Sequence, residues 1–433
     1  MSQHFHVVVI GGGVLGCACA IALGRRLGAG GVALLESRVI GSGLSARHSG
    51  IVRAANRSRM AARMAKQAAD MWRQLQSHWG VKLTYQTPGA LWITSEQDAA
   101  SWQAIAQHLA LEGVAFTELS AEEATALCEH VISTHPQERY FYEPEAMILE
   151  TGEILTALHQ ALRNHSVAVF EHCQVEDILR NSRGEVEALT TSQGRFSCDY
   201  IINAAGAWSA HLFARCGLVI PVALEPVLAA NFLISHRAIP ENLPIIADQV
   251  HRFYIRRWPG SQLHVHRPRS RDPQAIKAAF ALSALALEGA DQIYGVAGRT
   301  YSDDALTHYQ VYLRDRIPKV GSPIALTSFC SFFDITPDLG FILGPDPRVA
   351  NLFHCLGAGQ ALKYAPVFGE ITAALVCAED PGFDLQEFTI ERFFTGTGQQ
   401  PCFPTQVEVF LVLKIGARCY GYSLSSVLGY FHQ

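Results

Sequence analysis

At 433 residues the chain exceeds a single typical core, and its 49% apolar and 17% charged content describes a folded protein rather than a disordered one. A net charge of −5 gives no basis for nucleic-acid binding, and eleven scattered cysteines, without paired short spacing, read as reduced thiols with no metal site. No uncharged apolar run reaches the roughly 18 residues of a membrane helix, and only MSQHF precedes the first strand, so a cytoplasmic location is expected.

Val7 to Ile10 form a β-branched run suited to a strand buried on both faces. The run ends in Gly11-Gly12-Gly13-Val14-Leu15-Gly16, which satisfies G-x-G-x-x-G. An Ala- and Leu-rich helix pattern follows to about Leu27, then a second apolar strand, Val32 to Leu35, ending at Glu36. Gly11 permits the tight turn, Gly13 admits a pyrophosphate to the backbone N–H groups, and Gly16 allows helix and strand to pack closely. The helix start at Val14 and Leu15 then faces the phosphates, and Glu36 is placed to accept hydrogen bonds from a ribose. These features predict dinucleotide binding. A Glu at the second strand end argues against NADP and leaves FAD and NAD open.

Gly43 to Arg57 then carries Arg47, His48, Arg53 and Arg57 among small residues. Ala61 to Trp79 has helical periodicity, and LTYQTPGALWIT reads as two strands around a turn at Pro88-Gly89. A helix is predicted from about Asp98 to Leu111, and Ser120-Ala-Glu-Glu123 is a capping-box helix start. GEILTALHQALRNH is an amphipathic helix, VAVFEHCQVEDILRN a strand after it, and Ser182 to Gly184 a hairpin turn. YIINAAGAWS runs from a strand into small residues, and 218–322 is irregular and strand-like, with two or three helices. FILGPD and LFHCLGAGQ read as strands, and APVFGEITAALVCAED as a closing helix. The apolar stretch beyond 395 reads as a linker and tail of open purpose.

Four segments together resemble the FAD-dependent amine and amino-acid oxidoreductases of the D-amino-acid oxidase superfamily, in particular the sarcosine oxidase, sarcosine dehydrogenase and glycine oxidase branch. They are the Gly11–Glu36 fingerprint, SARHSGIVR, INAAGAWS, and DITPDLGFILGP with LGAGQALKYAP. The resemblance covers roughly residues 5 to 394 and implies FAD rather than NAD. It implies an α/β fold: a discontinuous Rossmann-type FAD-binding domain (1–85, 140–215 and 325–394) with an inserted antiparallel-sheet substrate domain (86–139 and 216–324), then a tail at 395–433. Around the cofactor it implies Ser45, Arg47, His48, Val175, Ala205, Gly206, Trp208, Gly357, Gly359, Gln360 and Lys363. Around the substrate it implies Arg53 gripping a carboxylate in a bidentate fork. A salt bridge from Arg53 to the following helix is the alternative, and Arg57 and Arg59 are expected to be solvated. Lys363 fits a lysine near flavin and carboxylate, where it would stabilise negative charge on the reduced flavin. His48 is expected to hydrogen-bond beside the ring, and Tyr254 with His264 or His266 to line the pocket.

Three departures qualify the resemblance. Gln360 and Ala361 replace a His and a Gly in the flavin loop. Ser331, with Cys330 one place earlier, stands where the monomeric sarcosine oxidases attach flavin, so FAD is expected to be non-covalent. The hairpin FYIRRWPGSQLHVHRP has no lysine for oxygen activation, which favours a dehydrogenase. The reaction expected is oxidation of a small amino acid or secondary amine, with hydride passing to flavin N5. Electrons would then go to oxygen, a quinone or another flavoprotein. A 2-hydroxy-acid dehydrogenase and a non-catalytic assembly flavoprotein are the alternatives.

Overall fold

The structure, a computed structural model, describes residues 3–235, 237–267, 271–274, 276, 279–280, 303–395 and 400–401. The chain opens with β1 (Gln3–Ile10), α1 (Val14–Leu27), β2 (Val32–Leu35), β3 (Ile51–Val52), α2 (Arg59–Arg73) and α3 (Leu75–Trp79). Next come β4 (Tyr85–Gln86), β5 (Ala90–Ser95), α4 (Ala99–Leu111), β6 (Thr117–Leu119) and α5 (Ala121–Leu127). They lead to β7 (Glu138–Glu143), β8 (Met147–Leu149), α6 (Thr151–Asn164), β9 (Ala168–Phe170), β10 (Val175–Arg180), β11 (Val186–Thr191) and β12 (Gly194–Asn203). After α7 (Ser209–Ala214) follow β13 (Ala223–Leu233), β14 (Ile245–Asp248), β15 (Phe253–Trp258) and β16 (Gln262–His266). The last elements used below are α8 (Asp303–Arg316), β17 (Ile324–Ile335), β18 (Ile342–Asp346), β19 (Val349–Leu356) and α9 (Ala361–Val376).

One sheet has the order β10-β11-β12-β1-β2-β9, continued from β12 by β19 and β18. β1 runs parallel to β2 and β12, so Val7 to Ile10 are buried on both faces. Val7 and Val9 pack with α1 and α9, while Val8 and Ile10 join Phe196 and Phe213 on the opposite side. That alternation along one apolar run is what a central parallel strand requires. The second sheet has the order β17-β13-β16-β15-β14-β5-β7-β6 and is antiparallel apart from the β14–β5 pair. A small third sheet, β3-β8-β4, sits beside the segment that carries Arg53.

Several sequence expectations are corrected. The helix expected over 61–79 is two helices that meet at Gln74. The two strands expected around Pro88-Gly89 are present as β4 and β5, and they pair apart, β4 with β8 and β5 with β7 and β14. The single strand expected in VAVFEHCQVEDILRN is two strands on opposite edges of the first sheet, β9 beside β2 and β10 beside β11. The closing helix begins at Ala361 rather than Ala365 and takes Lys363 into its first turn. Pro366 has no N–H to offer the Leu362 carbonyl, and the Trp72 indole N–H donates to that oxygen instead, at 3.2 Å. The Ser120 capping box is formed on both sides, as its spacing predicts. The tail beyond 395 lies outside the described residues apart from 400–401. Among the described residues, no helix is long and apolar enough to cross a membrane.

Candidate active site

The β1–α1 turn forms one wall of a cavity of about 810 Å3. Gly11 has φ +103°, and a Cβ on Gly16 would overlap the Gly11 carbonyl oxygen, so both positions require glycine for this turn. Gly13 caps α1 without a side-chain bond, and Ser45 Oγ accepts from the Val14 N–H at 2.9 Å. Glu36 accepts from the Gly12 N–H at 2.7 Å and the Arg38 N–H at 2.8 Å, which ties the end of β2 to the turn. The result is a glycine cradle at a helix N-terminus with a fixed carboxylate beside it. This arrangement fits the pyrophosphate and ribose of a dinucleotide.

Every candidate residue named from the sequence lines this cavity except Gly16 and Gly357. Gly16 lies behind the turn, and Gly357 faces the start of α9, where a Cβ would stand 2.6 Å from Ala361. Val175, Ala205, Gly206 and Trp208 line the wall supplied by the first sheet. Arg47 donates to the carbonyls of Ser42 and Gly43 at 2.6 and 2.7 Å, so it braces its own loop while lining the cavity. Gly359 donates to buried Asp334 at 2.7 Å, fastening the loop before α9 to β17. Burial raises the Asp334 carboxyl pKa against the lowering effect of the loop N–H groups. Cys330 and Ser331 pair in β17 with Leu228 and Val227, and their side chains lie outside the described residues.

At the other end, the Arg53 guanidinium lies 4.7 Å from the centroid of the Trp92 ring and donates to the Ala55 carbonyl. It forms no salt bridge with the following helix and no ion pair among the described residues. The Trp92 indole N–H donates to Glu143 at 3.1 Å, and the backbone N–H groups of Ala54 and Ala55 also donate to Glu143. Burial pushes the Glu143 carboxyl pKa up, against those N–H groups and the charge of Arg53. The strand pair β5–β7 thus fixes the Arg53 segment through one buried carboxylate that sequence reasoning missed.

His48, Tyr254, His264 and His266 line the same region. The Gly50 N–H donates to His48 Nδ1 at 2.9 Å, which puts the proton of the neutral ring on Nε2. That Nε2 is buried and has no partner among the described residues. Burial, with the charge of Arg256, drops the His48 pKa to about 3, and the same two causes drop His266 to about 3. Tyr254 faces His266 across β15–β16, with ring centroids 5.2 Å apart. His264 donates to Asn231 at 2.7 Å and, chiefly through burial, is held well below its ordinary pKa. Lys363 is buried, with its ammonium 4.7 Å from the Tyr364 ring. Arg57 is exposed as expected but also lines the cavity, whereas Arg59 pairs with Glu112 at 2.8 Å. Gln249, Arg252 and Arg271 complete this end and carried no local sequence signal.

The family model described as FAD dependent oxidoreductase matches residues 6–375. The chain is 25% identical over 398 residues to 4-methylaminobutanoate oxidase (formaldehyde-forming) of Paenarthrobacter nicotinovorans, covering 91% of this chain and 46% of that protein. It is 24% identical over 398 residues to the mitochondrial pyruvate dehydrogenase phosphatase regulatory subunit of Mus musculus, covering 89% of this chain and 43% of that protein. The chain thus spans about half the length of these two relatives. Its fold is similar to that of the crystal structure of L-proline dehydrogenase from P. horikoshii, with a TM-score of 0.76 at 18% identity, covering 91% of this chain and 98% of that one. With the family match covering most of the sequence and the glycine cradle suited to its cofactor, the chain belongs to the FAD-dependent oxidoreductase family.

Proposed function

We propose that the protein oxidises the C–N bond of a small amino acid or secondary amine, sarcosine-like in type, as a dehydrogenase with non-covalent FAD. The observation that carries this reading is Arg53: a guanidinium without an ion-pair partner among the described residues, stacked on Trp92 inside the cavity that the dinucleotide turn lines. A fork of this kind takes a carboxylate in two parallel hydrogen bonds and fixes the attached α-carbon. FAD, when bound, supplies the acceptor for the hydride on the carbon next to nitrogen. Gly11, Gly13, Val14 and Glu36 would hold its dinucleotide part. Ser45, Arg47, His48, Val175 and the segment from Ala205 to Trp208 would border it, and Gly359 and Gln360 would close the loop side.

His48 would donate its Nε2–H toward the cofactor ring, a hydrogen-bonding role that needs no covalent link. Lys363, buried beside Tyr364, would add positive charge where negative charge develops. Tyr254, Trp92 and His266 form an aromatic wall that keeps water from the reacting carbon. An amine that binds neutral needs no protein base. The β15–β16 hairpin lacks the lysine that the resemblance associates with oxygen activation, which favours an acceptor other than oxygen.

The buried His266 Nδ1, which has no partner among the described residues, favours 2-hydroxy-acid oxidation, which requires a base. A group with a pKa near 3 holds a proton poorly at neutral pH, and this weakens that reading. Anaerobic mixing of the holoenzyme with N-methyl amino acids and with matched 2-hydroxy acids separates the two. The amine reading expects bleaching of the visible flavin band by the amines; bleaching by hydroxy acids alone would replace it with the second reading. Bleaching by neither class, with FAD bound, would favour a non-catalytic role.

A further inference from the structure

The acidic residues of the cavity are engaged with partners at fixed places. Glu36 accepts two backbone N–H groups, and Asp334 accepts the Gly359 N–H. Asp338 pairs with Arg392 at 2.7 Å, and Glu387 accepts the Ser58 hydroxyl at 2.7 Å. Besides Arg53, three further arginines, Arg57, Arg252 and Arg271, line the same end. Arg57 and Arg271 are exposed at the rim and form no ion pair among the described residues.

The three come from separate parts of the chain. Arg57 follows four residues after Arg53, ahead of α2. Arg252 leaves the β14–β15 turn with φ +60°, an uncommon backbone state for a non-glycine residue. Asp248 sets that turn by accepting the His251 N–H at 2.8 Å, and Arg316 of α8 and Tyr312 hold the same carboxylate at 2.8 and 2.9 Å. The buried Arg316–Asp248–Glu138 cluster therefore braces the turn that presents Arg252. Arg271 enters from beyond β16. Loss of solvent around its guanidinium, then the charge of Arg57, lowers its pKa to about 10, with Arg53 and Arg252 contributing and Tyr254 opposing. Arg252 is also lowered, by burial and then Arg267, with Glu225, Tyr254 and Asp272 opposing. Like charges gathered at one cavity end cost folding energy unless an anion offsets them.

We propose that the amino-acid substrate carries a second carboxylate, held by Arg57, Arg252 and Arg271 while Arg53 holds the first. The inference rests on the amine-oxidising reading of this cavity and adds the substrate class to it. A substrate of this class is an N-substituted amino diacid or an acidic N-methyl amino acid. In such a substrate one carboxylate would meet the Trp92-backed Arg53 and the other the remaining arginines, with the amine between them.

Two measurements on the holoenzyme test it. In the first, glutarate and butyrate, neither of which can be oxidised here, are titrated against the visible flavin spectrum at low ionic strength. Glutarate is expected to bind at least about tenfold tighter, the scale of one charge-assisted hydrogen bond, with the ratio falling as salt rises. In the Arg252→Gln/Arg271→Gln double variant and in Arg57→Glu the ratio should drop toward one. Equal binding in the unaltered protein, or a ratio untouched by both variants, would overturn the proposal. In the second, anaerobic flavin bleaching is compared for N-methylaspartate and N-methylalanine. A preference for the diacid supports the proposal; equal apparent constants would overturn it and leave amine oxidation standing. Tight glutarate binding without bleaching by any amine would keep the anion site and remove the amine reading.

Discussion

The Arg53 guanidinium and the Trp92 indole are stacked, 4.7 Å from charge centre to ring centroid, and Trp92 is itself anchored by its N–H to Glu143 at 3.1 Å. One buried carboxylate therefore sets both the ring and, through the N–H groups of Ala54 and Ala55, the backbone beside Arg53. The arginine is positioned before any ligand arrives, so little of its binding energy is spent on ordering it.

Replacing Arg53 with Met removes the charge and keeps most of the side-chain length. The apparent substrate constant should rise about a hundredfold, the scale of a lost bidentate charge-assisted pair, while bound FAD stays at wild-type stoichiometry. Steady-state kinetics alongside the visible spectrum of the purified variant checks both parts.

Trp92→Leu removes the ring beneath the guanidinium together with its N–H bond to Glu143, and leaves the backbone donors to that carboxylate in place. A cation–π contact of about 0.5–2 kcal/mol predicts a rise of roughly 2- to 30-fold, smaller than for Arg53→Met. Glu143→Gln should also raise the constant, because the amide presents one acceptor where the carboxylate serves three donors. If both variants bind substrate as the wild type does, Arg53 does not depend on this scaffold.

Gly16→Ala places a methyl group on the Gly11 carbonyl, and the β1–α1 turn cannot close around it. The variant should purify without yellow colour or fail to fold. Gly152→Ala is the matched control: it lies in the first turn of α6, away from the cavity, and its Cβ meets nothing within 4 Å, so colour should stay unchanged and the thermal midpoint should not fall.

His48, His264 and His266 all have folded-state pKa values depressed below the unfolded value near 6.5. Below that pH the unfolded chain binds more protons at these sites, so their contribution is complete above about 6.5 and is lost as pH falls, toward about 3 for His48 and His266. Each adds a slope of about 1.4 kcal/mol per pH unit in that window. Glu143 and Asp334, with raised carboxyl pKa values, act in the opposite direction at its acidic end. His266→Phe keeps the ring stacked on Tyr254 and removes one titrating group. Denaturant unfolding at pH 6.5 and 5 should show a loss on acidification that is smaller in the variant by roughly one such slope.

What the sequence made legible was local. The glycine turn, Glu36 and the Ser120–Glu123 capping box depend on residues within one unit, and their spacing carries the geometry. Arg53 stood out as a fixed charge among small residues just after that unit. Glu143, by contrast, is 90 residues from Arg53 and meets it only because β7 pairs with β5. Arg252 likewise reaches the cavity through a turn that Asp248 and the Arg316 cluster brace, which leaves no periodic trace. The break inside VAVFEHCQVEDILRN carries no Gly or Pro, and hydrogen bonding sends its two halves to opposite sheet edges. The true helix start at Ala361 has no local mark, because the Trp72 bond that satisfies the Leu362 carbonyl ahead of Pro366 comes from 290 residues away.

The most direct test of amine oxidation at Arg53 is anaerobic mixing of the holoenzyme with an N-methyl amino acid, with the visible flavin band followed in time. The account predicts bleaching that slows when the carbon next to nitrogen carries deuterium, and that needs far more substrate in Arg53→Met. Absence of bleaching, or bleaching whose substrate dependence is the same in Arg53→Met, would contradict it.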